Sequence, residues 1–248
     1  MPDTNIPEVF NLEQYINAHL ALYHDSHSQL TSIMDDLVNQ ISSYKNLKDH
    51  VHTIKSRIKS ESSIADSLRR KYNKTKVPIP SDELFRGIND IIGMRILHLQ
   101  RAQIEQINKG LLEWIDAYNY EKLEGPIAKV YDNETKAFFE KLGIDTESNA
   151  RMYTSVHYVV LNNTKSRYSF EIQVRTLLEE AWGEVDHKIN YPNPTTSVAC
   201  LGQIRSLAHL TTGCNRLIDS ILRSHEEYAV LTESLQKRNT ENSTQHTR

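Results

Sequence analysis

Glu171-Ile172-Gln173-Val174-Arg175-Thr176 is the stretch that decides how this chain reads. Side chains alternate across a strand, so Glu171, Gln173 and Arg175 share one face while Ile172 and Val174 share the other. One face is then core, and the other carries an acid, an amide and a guanidinium. Upstream, Tyr153-Thr154-Ser155-Val156-His157 has the same parity, with Tyr153, Ser155 and His157 on one side and Val156 and Tyr158 opposite. Between the two runs stand Asn162-Asn163-Thr164-Lys165, turn formers that predict an antiparallel hairpin of strands 153–161 and 168–174. A solvated face accounts for one polar strand side; six such groups brought together by a hairpin exceed what solvation requires.

A third strand is predicted over 91–97, where Asp90-Ile91-Ile92-Gly93-Met94-Arg95 places an acid at the entrance of a buried run. Strict alternation sets Asp90 and Arg95 on opposite faces. If both serve one site, Asp90 acts from the strand's mouth or the ladder slips at Gly93, where a bulge or a close approach is allowed. A turn or helix cap is the plain alternative for Asp90. Two carboxylates on neighbouring strands, Asp90 and Glu171, suit Mg2+, which takes oxygen ligands between carboxylates and substrate phosphates.

Outside this region the chain reads as helical. Leu30, Ile33, Met34, Leu37, Val38 and Ile41 form one stripe, Phe10 to Leu20 suggests an earlier helix, and Tyr44, Leu47, Val51 and Ile54 extend the period less regularly. Residues 102–118 and 176–189 read as helices. In the second, Leu178, Ala181, Trp182, Val185 and Ile189 form the expected buried stripe, with Glu180, Gly183, Glu184 and His187 on another face. Tyr191-Pro192-Asn193-Pro194 ends that helix. A long helix follows from Val198, and the polar composition after Thr232 predicts a disordered tail. Residues 55–76 hold Lys55, Arg57, Lys59, Arg69, Arg70, Lys71, Lys74 and Lys76 against Glu61 and Asp66, a docking place for something anionic. There Ser63 or a neighbour caps a helix whose N-terminal amides favour a phosphate, with Arg70 two turns further on. An exposed basic helix is the alternative.

With 248 residues, a net charge of −3 and 38% hydrophobic residues, the composition excludes collagen-like, wholly disordered and broadly basic classes. No apolar run reaches a membrane span, and the first thirteen residues carry no basic leader, so a cytoplasmic protein without membrane contact is expected. Cys200 and Cys214 match no metal spacing and are read as thiols of a helical core. Neither a P-loop nor a Gly-x-Gly-x-x-Gly sequence occurs. His24-Asp25 reads as an exposed dyad.

Arg57-Ile58-Lys59-Ser60, Asp90-Ile91-Ile92-Gly93-Met94-Arg95, Tyr153-Thr154-Ser155-Val156-His157 and Glu171-Ile172-Gln173-Val174-Arg175-Thr176, with Trp182 and His187-Lys188, occur in the order of the landmarks of the RelA/SpoT synthetase domain. The chain resembles that family, ATP-dependent pyrophosphokinases making guanosine alarmones, over about residues 55–191. The resemblance implies an α/β (α+β) fold, a nucleotidyltransferase-like mixed β-sheet flanked by helices with helical N- and C-terminal extensions. The expected parts are a helical extension over 1–54, a synthetase core over 55–194, a long helix over 195–234 and a tail over 235–248.

It also implies roles. Arg57 and Arg95 sandwich the ATP adenine; Lys59 and Arg70, with the Ser63 region, hold the triphosphate. Asp90 and Glu171 bind Mg2+, and Glu171 takes the proton of an acceptor ribose 3′-hydroxyl attacking the ATP β-phosphate. Tyr153 stacks on the acceptor base, while His157, Gln173, Arg175 and His187 orient acceptor or phosphates. The expected acceptor is GDP or GTP, and the helical extensions are candidates for homo-oligomer contacts. Most departures concern the acceptor. Arg151-Met152 replaces the family's Asn-Gly, no lysine-rich loop is recognisable between Gly125 and Ala150, and Glu180, an acceptor-binding candidate whose carboxylate can accept two guanine N–H donors, stands where some small synthetases carry an asparagine reading guanine; on the ATP side, Ser67 replaces a basic residue. A tRNA 3′ end or an adenosine nucleotide is therefore the alternative acceptor, and a nucleotide-sensing module without turnover is the alternative of another class.

Overall fold

The computed structural model describes residues 10–165, 167–191 and 193–245. Its centre is a six-stranded mixed sheet of β1 (Thr53–Ile58), β2 (Ile92–His98), β3 (Glu121–Val130), β4 (Asp145–Ser148), β5 (Ser155–Leu161) and β6 (Ser169–Thr176), in the order β1-β2-β6-β5-β3-β4. β2 and β6 run parallel, as do β3 and β4; the other neighbours are antiparallel. The hairpin of β5 and β6 and the face parity of both strands follow the sequence pattern: Ile172 and Val174 are buried, and Glu171, Gln173 and Arg175 are half-buried opposite them.

Two strands escape the pattern. β1 lies where the apolar spacing predicts a continuing helix, and it crosses the expected domain boundary between 54 and 55. β3 contains Gly125-Pro126, read from sequence as a loop. The dipeptide forms an irregularity within the strand, with register shifts on either side of Glu124. Gly125 has φ +89°, and a Cβ there would stand 2.2 Å from the His157 carbonyl oxygen, so this crossing admits only glycine.

α1 (Leu12–Ser43) is one helix where two were expected, since nothing between 20 and 30 breaks it. Its N-cap Asn11 accepts a hydrogen bond from the Gln14 amide, and Ile16, Tyr23, Leu30 and Leu37, seven residues apart, are all buried. α1 is thus part of the core. The Tyr23 hydroxyl donates to the Lys59 carbonyl at 3.0 Å, and His19 bridges the carbonyls of Tyr15 and Ile79. The remaining helices are α2 (Glu61–Thr75), the single turn α3 (Leu84–Gly87), α4 (Ile104–Ala117), α5 (Asn133–Lys141), α6 (Leu177–Asn190) and α7 (Val198–Gln245).

Three expectations about the C-terminal third are corrected. α6 buries Glu179, Glu180 and Trp182, while Val185 and Ile189 are exposed, because its inward face meets cations and backbone amides rather than an apolar layer. Cys214 is exposed and Cys200 only half-buried, since the inward face of α7 is formed instead by Ala208, Thr211, Thr212, Asn215 and Asp219. The tail expected from 235 is helical as far as Gln245, its Leu, Gln, Lys, Arg and Glu being residue types that extend a helix once formed; residues 246–248 of that tail lie outside the described residues. Pro192, expected to help end α6, lies outside the described residues; the helix ends with Tyr191 as its C-cap. No helix among the described residues is long and apolar enough to cross a membrane.

Candidate active site

Strand register assembles the polar face. Lys55 of β1 pairs with Arg95 of β2, Arg95 with Gln173 of β6, and Gln173 with His157 of β5, so one lateral row crosses four strands. The next row holds Arg57, Gly93 and Glu171. β2 pairs with β6 without a slip at Gly93, and Asp90 lies just ahead of β2, so it enters the site from the strand's mouth.

The face opens into two adjoining hollows. A strand-walled cleft of about 180 Å³ is lined by Lys55, Arg57, Asp90, Gly93, Arg95, Glu171 and Gln173, among others. A larger groove of about 540 Å³ is lined by Tyr153, His157, Arg175 and His187 and closed by α6 and the first turns of α7. Arg95 and Gln173 line both. Ser155 lines neither; it is buried, with its hydroxyl 3.4 Å from the Val174 carbonyl.

Charges within the site are heavily paired. Lys59, only 9% exposed, holds the Asp90 carboxylate through a salt bridge. Glu171 Oε1 accepts from His157 Nδ1 at 2.9 Å and its Oε2 accepts from Gln173 Nε2 at 2.9 Å, while Arg175 donates to the Gln173 amide oxygen. Burial alone would raise the Glu171 pKa; the bonds from His157 and Gln173 and the charge of Arg175 outweigh it and hold the carboxyl below its ordinary range. With Nδ1 committed to Glu171, the buried Nε2 of His157 has no partner among the described residues.

Glu180 is the electrostatic hub. Its side chain is 6% exposed and lies 2.8 Å from Lys55 Nζ, 3.1 Å from Arg95 and 3.4 Å from Arg175, with Glu184 a further partner of Arg95 at 2.9 Å. Burial opposes its ionisation, and the three cations reverse that and lower its pKa. The carboxylate that was expected to meet an acceptor base is thus engaged within the protein, and it lines neither hollow.

On the basic stretch, Ser60 rather than Ser63 is the N-cap of α2; Ser63 sits at the third helical position, its amide 3.4 Å from the Ser60 hydroxyl oxygen. Arg70 is exposed, 3.4 Å from the buried Ser67 hydroxyl, and neither Ser63 nor Arg70 lines the cleft or the groove.

Residues 56–196 match the family model described as the region found in RelA / SpoT proteins. The chain belongs to the RelA/SpoT family. A search of curated proteins finds no match. Among solved structures, the RelA/SpoT chain is similar to small alarmone synthetase 1 from Bacillus subtilis bound to its product pppGpp, at 22% identity and a TM-score of 0.58, covering 82% of this chain and 96% of that one. The same enzyme bound to AMPCPP matches at 19% identity and TM-score 0.57, covering 80% and 95%. A GTP pyrophosphokinase family protein from Streptococcus pneumoniae matches at 16% and 0.56, covering 82% and 93%. At these identities the likeness is one of fold: a mixed sheet flanked by helices.

Of the RelA/SpoT residues expected in the site, Arg57, Asp90, Arg95, Glu171 and Gln173 share the strand cleft, and Tyr153, His157, Arg175 and His187 share the groove. Lys59 touches the cleft through Asp90. Lys55 entered the sequence analysis only as part of the basic stretch, although it stands two residues before Arg57 and so on the same strand face. The sequence reading missed Arg205, for which no sequence signal existed, since only the docking of α7 brings it to the groove. Arg151 drew notice as a departure from the family pattern, without a role.

Proposed function

We propose that this chain is an ATP-dependent pyrophosphokinase that transfers pyrophosphate from ATP to the ribose 3′-hydroxyl of GDP or GTP. One observation carries the reading: the strand cleft and the groove adjoin at Arg95 and Gln173, with Glu171 in the cleft beside them, so a donor and an acceptor bound side by side meet at a carboxylate. In this assignment ATP lies in the cleft against Arg57 and Arg95, whose guanidinium planes suit an adenine. Lys59 releases Asp90 to meet the triphosphate. The acceptor base stacks on Tyr153, and His157 Nε2, Gln173 and Arg175 orient the acceptor. The 3′-oxygen attacks the β-phosphorus, the bond from that phosphorus to the α,β-bridging oxygen breaks, AMP leaves, and Glu171 takes the hydroxyl proton.

Asp90 and Glu171 fit a magnesium ion as hard oxygen donors on one cleft, the one or two carboxylates such an ion takes beside substrate phosphates. Among the described residues no group of three His, Cys, Asp or Glu side chains could hold a metal, so phosphate oxygens complete the set. When bound, the ion supplies neutralisation of phosphate charge. Positioning of two substrates, with no covalent enzyme intermediate, supports most of the acceleration.

Incubation of the purified chain with magnesium, labelled ATP and a panel of GDP, GTP, ADP and deacylated tRNA tests this. The expected products are AMP and a 3′-pyrophosphorylated guanosine nucleotide, and Glu171→Gln lowers the rate by about a thousandfold, the range of a lost general base. Dependence on ADP or tRNA alone moves the assignment to that acceptor. Tight nucleotide binding without AMP release from any acceptor makes the chain a sensing module and overturns the enzyme.

A further inference from the structure

The groove holds more positive charge than the protein neutralises. Four arginines line it: Arg95, Arg151, Arg175 and Arg205. Arg95 and Arg175 are matched by Glu180 and Glu184. Asp186, the acid on the wall, accepts from Asn190 Nδ2 at 2.8 Å. The guanidiniums of Arg151 and Arg205, both exposed in the groove wall, have no hydrogen-bond or carboxylate partner among the described residues.

Both are presented by ordered backbone. Asn149 fixes the Arg151 turn by accepting from the Arg151 amide at 2.8 Å while its own amide donates to the Tyr153 carbonyl at 2.9 Å, so Arg151 is tied to the residue expected to stack on the acceptor base. Arg205 follows Ile204, whose carbonyl accepts from Trp182 Nε1 at 3.1 Å; that bond fastens this turn of α7 to α6 beside His187 and Tyr191, whose rings stack at 4.7 Å. Unpaired guanidiniums beside aromatic faces in a groove of about 540 Å³ match a ligand with a flat base and an anionic group.

Resting on the proposed reading, we infer that Arg151 and Arg205 are specificity-determining residues that bind the 5′-phosphates of the acceptor, so that α7 completes the acceptor site and a phosphorylated ribonucleoside is selected over the free nucleoside. The sequence separation of 54 residues between them makes this subsite a product of the fold alone.

The test uses the full chain. Arg151→Ala, Arg205→Ala and the double variant are compared in AMP release with GTP, GDP and guanosine as acceptors. Each single variant raises KM for GTP and GDP about tenfold or more, the loss of one charge-assisted contact, with KM for ATP and kcat at saturation held within about twofold. Guanosine, lacking the phosphates, is used equally by all forms, and Arg205→Lys recovers part of the GTP affinity. An unchanged acceptor KM in the double variant overturns the subsite while the pyrophosphokinase stands. If the wild type releases no AMP with any acceptor, the enzyme reading falls, and calorimetric titration of GTP, GDP and guanosine decides the subsite by itself. Phosphate-dependent binding lost in the double variant supports it; equal binding by both forms, or no phosphate-dependent binding by the wild type, overturns it.

Discussion

The strand cleft and the groove differ in how they are built and in how their charge is used. The cleft is walled by β1, β2 and β6 and by Asp90 at a strand mouth, and its cations are mostly satisfied: Lys59 by Asp90, Lys55 and Arg95 by Glu180. The groove takes its walls from a turn, two helices and one face of the sheet, and two of its arginines meet no acid among the described residues. Strands fix side chains at intervals set by register, so a cleft between them holds its geometry and can carry paired charges ready to be exchanged for ligand. A groove closed by a docked helix depends on contacts remote in sequence, and its unpaired guanidiniums leave the ligand to supply the counter-charge.

The sharpest way to break that distinction is Glu180→Ala, since Glu180 serves both sides. Arg175 and Arg95 would lose a partner buried to 6% exposure, and removing one side of a buried pair costs on the order of 3 kcal/mol of stability. We expect lower unfolding free energy in a denaturant titration together with impaired use of donor and acceptor alike. An effect confined to one substrate would mean that the hollows are electrostatically separate.

Gly93→Val addresses the cleft alone. A Cβ at Gly93 meets Arg57 Cγ and Nε at 3.8 Å, an ordinary contact, so the added methyls intrude on the cleft without disrupting the ladder. The expected result is a rise in KM for ATP of about tenfold, from crowding on the order of 1.4 kcal/mol, with the acceptor KM held. A parallel rise for the acceptor contradicts the assignment of donor to the cleft.

A third test compares two adjacent carboxylates. Glu180 is ionised by its cations, whereas burial lifts Glu179 to about 7 against the Thr154 amide and the Arg175 charge, with Asp132 adding to the rise. The folded chain therefore keeps a proton that the unfolded chain, at the ordinary value of 4.5, releases. This group's contribution to stability is complete below that unfolded value and is lost as pH rises through about 7. Glu179→Gln retains an acceptor for the Thr154 amide, and its new amide nitrogen replaces the oxygen that accepts from Asn215 Nδ2, so the Asn215 amide turns over to bring its unpaired oxygen to that donor. Denaturation should show wild type and variant alike near pH 5 and the variant more stable near pH 8, by on the order of 2 kcal/mol. A constant difference across pH would place the Glu179 proton elsewhere.

Alternation made the central sheet legible: residues 153–161 and 168–174 differ from the observed β5 and β6 by only a residue or two at most ends, and the pairing of His157 with Gln173 follows from the hairpin. β1 was hidden because Thr53–Ile58 is an edge strand with charged residues at alternate positions, and β3 because Gly125-Pro126 is a turn signal that tertiary packing overrode. The apolar stripe expected on α6 failed for a different reason. Val185 and Ile189 had the right spacing, but the face turned inward is acidic because Lys55, Arg95 and Arg175 wait there.

By itself the sequence determined the polar face of the sheet, because period-2 alternation and motif order are local properties that survive any packing of the rest. Only the tertiary structure decided what stands opposite that face. Glu180 as a shared counter-ion, Asp90 entering from the mouth of β2 and Arg205 on the groove wall all depend on strand register and on α7 lying against α6. Contacts between residues far apart in the chain leave no periodic trace in either partner, so no reading of one segment could have supplied them.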